Sequence, residues 1–385
     1  MTEREADIQT ENDRSYRKRK PFSVKYFDYG IVMLVVFLLG FGMVMLYSAS
    51  SYTAAMRHGS ASFFLIKQAR TTIIGLVGMA IVSRIDYHWL DKISLIIYIA
   101  AVILCIYVLL RGAAWNNSAR WIRLGPINFQ PSEIGKAAVI IFASHIISNT
   151  SFRKRKIEDR LKALAIAIAP LLVIVMLVSV TNLSTGIIIL LISFGMLFIA
   201  YPKARIFVAF GGVGVVLGGF FLNAAGYRSI RVKIWKHPEM YPKDGFQTLQ
   251  GLYAIGSGGL FGKGLGQSLQ KKFVPEAQND MIFSLICEEL GLFGAVCVII
   301  IFAILLWRIM NISLNASDKL GSFIAAGVMI HVALQVLMNI AVVTNLMPNT
   351  GVTLPFISYG GSSVLILLAE IGIVLNVSRS IDFSA

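Results

Sequence analysis

The chain has 385 residues, 56% of them hydrophobic and only 14% charged, with a mean hydropathy of +0.73. Soluble domains carry roughly a quarter charged residues, so this composition excludes an ordinary soluble enzyme and defines a polytopic membrane protein. The formal net charge of +15, from 35 Lys and Arg against 20 Asp and Glu, points to anionic lipid or an anionic substrate before nucleic acid.

Residues 1–28 alternate acid and base and include Arg17-Lys-Arg-Lys20. They read as a cytoplasmic tail whose basic cluster holds the N-terminus inside. No cleavable signal peptide is expected, because the first apolar run continues too long for a signal h-region. A bilayer core needs about 20 mostly apolar residues per helix. By that measure spans fall at 29–48, 71–85, 92–110, 132–148, 163–181, 184–201, 206–224, 280–307, 320–343 and 359–378. The second is short and has room to extend back through Phe63–Gln68. The fold class expected is therefore an all-α polytopic membrane protein. Residues 29–385 form its membrane domain, with ten transmembrane helices and both termini cytoplasmic. The basic loop Ser151-Phe-Arg-Lys-Arg-Lys156 then falls inside, as the positive-inside rule requires. Cys105, Cys287 and Cys297 all fall in apolar runs and read as small core residues rather than a disulfide framework.

The first outer loop carries Asn117-Ser-Ala-Arg-Trp-Ile-Arg123 and leads to Gln130-Pro-Ser-Glu133. Trp121, with Arg120 beside it, suits an outer membrane interface. Pro131 suits the first turn of a helix. Glu133 and Lys136 are three apart and share a helix face. They read as an ion pair that fixes topology, or as a pair in which Lys136 tunes a catalytic carboxylate.

Residues 225–279 form the largest outer loop, between the seventh and eighth spans, and it is basic. Among its cations are Lys263, Lys271 and Lys272. The stretch Ser257-Gly-Gly-Leu-Phe-Gly-Lys-Gly-Leu-Gly266 is too glycine-rich for continuous helix. It reads equally as a phosphate cradle around Lys263 and as a re-entrant turn without a ligand. It is not a nucleotide P-loop, since the Gly-Lys-Ser/Thr ending is absent.

The chain then enters Phe273-Val-Pro-Glu-Ala-Gln-Asn-Asp280, followed by an apolar run holding Glu288 and Glu289. Carboxylates at membrane depth need partners, a wet cavity or a task. Asp280 stands where a lysine-bearing loop meets the start of a hydrophobic helix, a place suited to a general base. A helix N-terminus lowers its basicity and apolar neighbours raise it. Glu276, four residues earlier, shares its face if the helix starts early and has a supporting role.

The last cluster is Asn345-Leu-Met-Pro-Asn-Thr-Gly-Val-Thr-Leu-Pro-Phe-Ile-Ser-Tyr-Gly-Gly-Ser-Ser363. Its prolines and glycines break helix, and such backbone at membrane depth must be buried in protein or line a cavity. Ser358, Tyr359, Ser362 and Ser363 offer hydroxyls to sugar or phosphate. Gln335 and Asn339 add amides on one face of the preceding helix, for substrate or for helix-to-helix bonding. His145 and His331 stand alone in apolar runs and read as core residues, so no cluster fixing a metal is apparent.

Together these segments resemble the SEDS family (shape, elongation, division and sporulation), which includes FtsW, RodA and SpoVE. The resemblance covers nearly the whole chain from Asp28. It is carried by Met45-Leu-Tyr-Ser-Ala-Ser50, Ser118-Ala-Arg-Trp-Ile122 with Gln130-Pro-Ser-Glu133, and Gly264-Leu-Gly-Gln-Ser268. Pro275-Glu-Ala-Gln-Asn-Asp280 with Glu288-Glu-Leu-Gly291, and Leu354-Pro-Phe-Ile-Ser-Tyr-Gly-Gly-Ser-Ser363, add the most specific matches. The Pro-Glu-Ala-Gln and Tyr-Ser-Ala-Ser forms are closer to the FtsW/SpoVE branch. One departure is Thr181-Asn-Leu-Ser-Thr-Gly186, where many relatives carry an aspartate.

The resemblance implies a peptidoglycan glycosyltransferase in the cytoplasmic membrane, with its site at the outer face, acting on lipid II. It maps the catalytic aspartate to Asp280 and the paired charges to Glu133 and Lys136. It implies a class B penicillin-binding protein as partner. The leaving pyrophosphate needs its charge stabilised; Arg120, Lys263, Lys271, Lys272 or a divalent cation would serve. A lipid II flippase and a non-enzymatic division scaffold are the rival classes.

Overall fold

The computed structural model describes residues 26–111, 113–115, 118–124, 127–150, 157–202, 226–243, 245–274 and 276–381. The expected seventh span, 206–224, lies outside the described residues, as does nearly all of the N-terminal tail.

The helices follow the apolar runs and begin or end where local chemistry dictates. α1 (Tyr29–His58) is capped by Asp28, whose carboxylate accepts from the Ile31 N–H at 3.1 Å. Gly59, in left-handed conformation, returns its N–H to Ala55 and closes the helix, as C-terminal glycines do. α2 (Phe63–Val82) does extend back to Phe63, and α3 (His88–Arg111) follows. α4 (Pro131–Asn149) opens on Pro131. α5 (Ile157–Thr181) and α6 (Leu183–Ala200) are separated by Asn182, whose side chain accepts from the Thr185 N–H. The departure noted in the sequence thus serves as a helix cap, a role Asn fills as well as Asp. α7 (Gly226–Lys236) and α8 (Phe246–Gly258) belong to the large loop. α9 (Ile282–Asn315), α10 (Lys319–Val343) and α11 (Gly361–Arg379) complete the bundle.

Among the described residues seven helices are long and apolar enough to cross a membrane: α1, α2, α3, α6, α9, α10 and α11. Asp28 at the start of α1 meets Arg308 near the end of α9 at 2.9 Å and the Ser378 hydroxyl near the end of α11. The start of α1 and the ends of α9 and α11 therefore share one end of the bundle. α10 lies at the centre, packed against α4, α6, α9 and α11. The outward faces of α2, α3 and α9 carry exposed residues such as Ile73, Ile96 and Ile300, the surface expected against lipid.

The all-α expectation needs amending. Residues expected as plain loop form a three-stranded antiparallel sheet, β1 (Ala113–Trp115), β2 (Ser118–Leu124) and β3 (Ile127–Phe129). Each strand is separated from the next by only two residues, so adjacent strands fall side by side and satisfy one another's backbone groups.

Candidate active site

At the end of the bundle away from Asp28, the motifs are laced to one another. α9 holds a non-helical residue, Gly291 (φ 68°, ψ −168°), a conformation essentially reserved for glycine. The break frees backbone groups on either side, and the glycine-rich stretch takes them. Lys263 and Gly264 donate N–H groups to the carbonyls of Glu288 and Glu289, each at 2.9 Å. Leu292 and Phe293 donate to the carbonyls of Gly259 and Leu260 at 2.9 and 3.0 Å. A Cβ on Gly291 would stand 2.4 Å from the Gly262 nitrogen, so the two segments meet only because neither glycine has a side chain.

Glu288 and Glu289 receive the partners that their burial demanded. Glu288, wholly buried, pairs with Lys263 Nζ at 2.8 Å. It also accepts from the Ser268 hydroxyl and from the N–H groups of Leu269 and Gln270. Glu289 accepts from the Ser48 hydroxyl and from the Gly266 N–H at 3.0 Å. The glycine-rich stretch, expected as a phosphate cradle or a re-entrant turn, thus wraps the protein's own carboxylates Glu288 and Glu289. Lys263, expected to meet substrate, is committed to Glu288.

Asp280 has different surroundings. The turn 276–280 precedes α9, which begins only at Ile282, and Glu276 has φ 49°. The early helix start that would have put Glu276 and Asp280 on one face does not occur. Glu276 instead accepts from the Asn279 amide at 3.0 Å. Asp280 is half-buried. Its Oδ1 accepts from Gln247 Nε2 at 3.2 Å. Its Oδ2 lies 3.8 Å from where a Cβ on Gly351 would stand, so Gly351 packs beside it. Burial pushes the carboxyl up to about 6, with Glu276 adding to the rise. Its own backbone N–H, Gln247 and Arg231 pull the other way. Of the two opposed effects, burial wins.

The loop after α10 is fixed to this turn. Tyr359 donates its N–H to the Gln278 carbonyl at 2.9 Å. Asn339, fully buried, donates to the carbonyls of Asp280 and Val352, both at 2.8 Å. Ser358 is buried and its hydroxyl accepts from the Leu354 N–H at 2.8 Å. Asn339 and Ser358, expected to contact substrate, are buried, and the Asn339 Nδ2 and the Ser358 hydroxyl brace backbone. Asn339 Oδ1 holds no partner among the described residues. Gln335 and Ser362 are likewise buried, whereas Ser363 is partly exposed. The ring of Tyr359 packs edge-on to Phe64 at 5.3 Å.

The remaining cations divide. Lys271 donates to the Gly266 carbonyl at 2.6 Å. Lys272 is exposed and lies over the Tyr52 ring at 5.5 Å. Arg120 lies in β2 with its side chain outside the described residues, and Trp121 in the same strand is half-buried. Glu133 and Lys136 pair at 2.9 Å, both buried in α4. The cation bearing on Asp280 is Arg231, while Lys136 is committed to Glu133.

Neither histidine stands alone. His145 meets Asp91 at 2.7 Å, and His331 meets Glu370 at 2.7 Å with both side chains buried. Among the described residues no three His, Cys, Asp or Glu side chains gather as metal ligands. Sequence reasoning did not single out Gln247 or Asn349. Both are neutral amides, Gln247 among the charges of the large loop and Asn349 inside the 345–363 cluster, where the hydroxyls were taken instead.

A helical membrane bundle with a half-buried carboxylate at one end is the class of protein these features define. The chain belongs to the cell cycle protein family of FtsW, RodA and SpoVE, whose family model matches residues 29–382. It is similar to the stage V sporulation protein E of Bacillus subtilis, with 39% identity, 91% of this chain and 97% of the relative covered. It is also similar to a probable peptidoglycan glycosyltransferase FtsW of Trichlorobacter lovleyi, with 37% identity over 95% of this chain and 97% of the relative. Among solved structures, a chain of a peptidoglycan synthase complex that coordinates polymerization and crosslinking superposes with a TM-score of 0.76 at 25% identity, covering 92% of this chain and 98% of that one. The rod shape determining protein RodA of Thermus thermophilus superposes with a TM-score of 0.68 at 25% identity, covering 93% and 98%. The chain is accordingly a multi-pass protein of the cytoplasmic membrane.

Proposed function

We propose that this protein is a peptidoglycan glycosyltransferase that polymerises lipid II, with Asp280 as general base. The observation that carries the reading is the Asp280 carboxylate itself. It sits at the mouth of the bundle with one oxygen held by Gln247 and the other beside Gly351. With its pKa raised to about 6, it is mostly ionised at neutral pH yet more basic than a surface aspartate. General bases work best with a pKa near the working pH. The relatives named as probable peptidoglycan glycosyltransferases support the same reaction.

In the step proposed, the 4-hydroxyl of the acceptor's terminal GlcNAc attacks the anomeric carbon of the donor. The new C1–O4 bond forms as the bond from C1 to the phosphate oxygen breaks. Asp280 takes the hydroxyl proton, and the electron pair leaves with undecaprenyl pyrophosphate. That leaving group needs no protonation, so a single carboxylate suffices, unlike the paired acids of glycosidases. Its developing charge calls for cations. Lys271, Lys272 and Arg231 are the described candidates, since Lys263 is neutralised by Glu288, whereas the Lys271 ammonium meets only the Gly266 carbonyl among the described residues. The mouth holding Asp280 would face outward and the end holding Asp28 the cytoplasm. A class B penicillin-binding protein is the proposed partner, supported by the structural likeness to a chain of a peptidoglycan synthase complex.

The test is glycan polymerisation from lipid II by the purified protein with its transpeptidase, wild type beside Asp280→Ala. General-base help is worth about a hundred- to ten-thousand-fold, and a loss of that size in a folded variant is expected. Equal polymer from both would remove Asp280 from the chemistry.

A further inference from the structure

We propose that Gln247 and Asn349 are positioning residues for Asp280, forming a two-amide relay that ties down Oδ1 and presents Oδ2 to the acceptor hydroxyl. This rests on the general-base reading of Asp280 and adds to it the device that aims and tunes that base.

The relay has one direction. The Gly351 N–H donates to Asn349 Oδ1 at 3.0 Å. With its oxygen engaged, Asn349 turns its Nδ2 to Gln247 Oε1 at 3.1 Å. With that oxygen engaged in turn, Gln247 offers Nε2 to Asp280 Oδ1 at 3.2 Å. An amide has distinct donor and acceptor ends, so each bond fixes the orientation of the next. The relay begins and ends at one place. Gly351, in left-handed conformation at φ 69°, supplies the first N–H and also packs beside Oδ2, which lies 3.8 Å from where a Cβ would stand. Three segments that are far apart in sequence are joined: α8, the turn before α9 and the loop after α10.

The relay is anchored from its far side. Arg231 of α7 donates to the Asn349 carbonyl at 3.3 Å. Trp235 of the same helix donates to the Asn345 carbonyl at 2.9 Å. A neutral donor on a carboxylate favours the ionised form and restricts its rotation. The charges acting on Asp280 alongside it are Glu276 in its own turn, which opposes ionisation, and Arg231, which favours it.

Removing the Gln247 donor raises the pKa of Asp280. The base must be ionised to act, so the acid limb of the rate profile moves to higher pH. The experiment is the pH profile of kcat/KM for lipid II polymerisation, using the full chain with its transpeptidase. The variants are Gln247→Ala, Gln247→Glu, Asn349→Ala and Asp280→Ala. Gln247→Ala is expected to shift the acid limb up by roughly one pH unit, as loss of one hydrogen bond to a charged group allows. Its loss of rate is then about tenfold below the limb and smaller at pH 8. Gln247→Glu keeps the side-chain size, so it carries the test even if the alanine variant folds poorly. It replaces the donor with a second carboxylate and is expected to shift the limb further. Asn349→Ala is expected to give a smaller shift in the same direction.

An unmoved limb in folded Gln247→Ala and Gln247→Glu, whatever the rate, would overturn the relay while an inactive Asp280→Ala kept the base. An active Asp280→Ala with the wild-type profile would overturn the base, and the relay with it.

Discussion

Glu288 and Asp280 stand eight positions apart in the sequence and meet opposite conditions. Glu288 is sealed. Lys263, Ser268 and two backbone N–H groups occupy its oxygens. Such a carboxylate has no lone pair left for chemistry, and it holds the loop 257–272 onto α9. Asp280 accepts one side-chain donor, from Gln247, and is only half-buried, with its carboxyl pushed up by burial. These are the features that suit the proposed base. A buried carboxylate is therefore judged by what its oxygens already hold. Charge count and burial alone would have favoured Glu288.

The sharpest way to break this contrast is to neutralise both. Asp280→Asn is expected to cost about a hundred- to ten-thousand-fold in polymerisation while the melting temperature in detergent stays within a few degrees of wild type. Full activity in that variant would end the contrast. The wild-type pH profile sharpens it next. Burial pushes the Asp280 carboxyl up to about 6, and the proposed base must be ionised, so kcat/KM is expected to fall about tenfold per unit below that pH. A limb near the ordinary carboxylate value of about 4 would mean that burial does not raise this group.

Two smaller effects probe the sealed side, where stability and not chemistry should respond. Gly291→Ala forces a Cβ to within 2.4 Å of Gly262 backbone in a conformation that costs a non-glycine residue roughly 1–3 kcal/mol. Thermal unfolding should show at least that loss. Glu288→Gln places an amide nitrogen among donors and leaves Lys263 without its counter-charge. A buried donor left unsatisfied costs about 1–3 kcal/mol, and partial exposure of Lys263 puts the expected loss toward the lower end. Hydrogen exchange should quicken in residues 259–272 while polymerisation per folded molecule survives. Loss of catalysis with unchanged exchange would make Glu288 a chemical group.

Much of this was legible in the sequence for identifiable reasons. The apolar runs gave α4, α6, α10 and α11 to within about two residues at each end, because lipid burial adds up along the chain. By contrast, α1 and α9 run well past the expected 48 and 307, to His58 and Asn315. The motifs marked the segments that meet: Ser48 from the Tyr-Ser-Ala-Ser stretch reaches Glu289, and Ser268 reaches Glu288. Asp280 was singled out by its place at a helix start. The sheet formed by β1, β2 and β3 went unseen because its strands are short and their alternation is weak. The histidines looked solitary because Asp91 and Glu370 lie 54 and 39 positions away.

By itself, then, the sequence determined that this is a membrane bundle of the FtsW, RodA and SpoVE family, and which segments carry its polar chemistry. The membrane bundle follows from residue type summed over contiguous stretches, and the family from the resemblance of its short motifs. Only the tertiary structure decided how the polar groups pair. Lys263 went to Glu288, Asn339 to backbone, and Gln247 to Asp280 across 33 positions, with Asn349 to Gln247 across 102. A hydrogen bond depends on distance and direction between atoms, and packing of distant segments is what sets both.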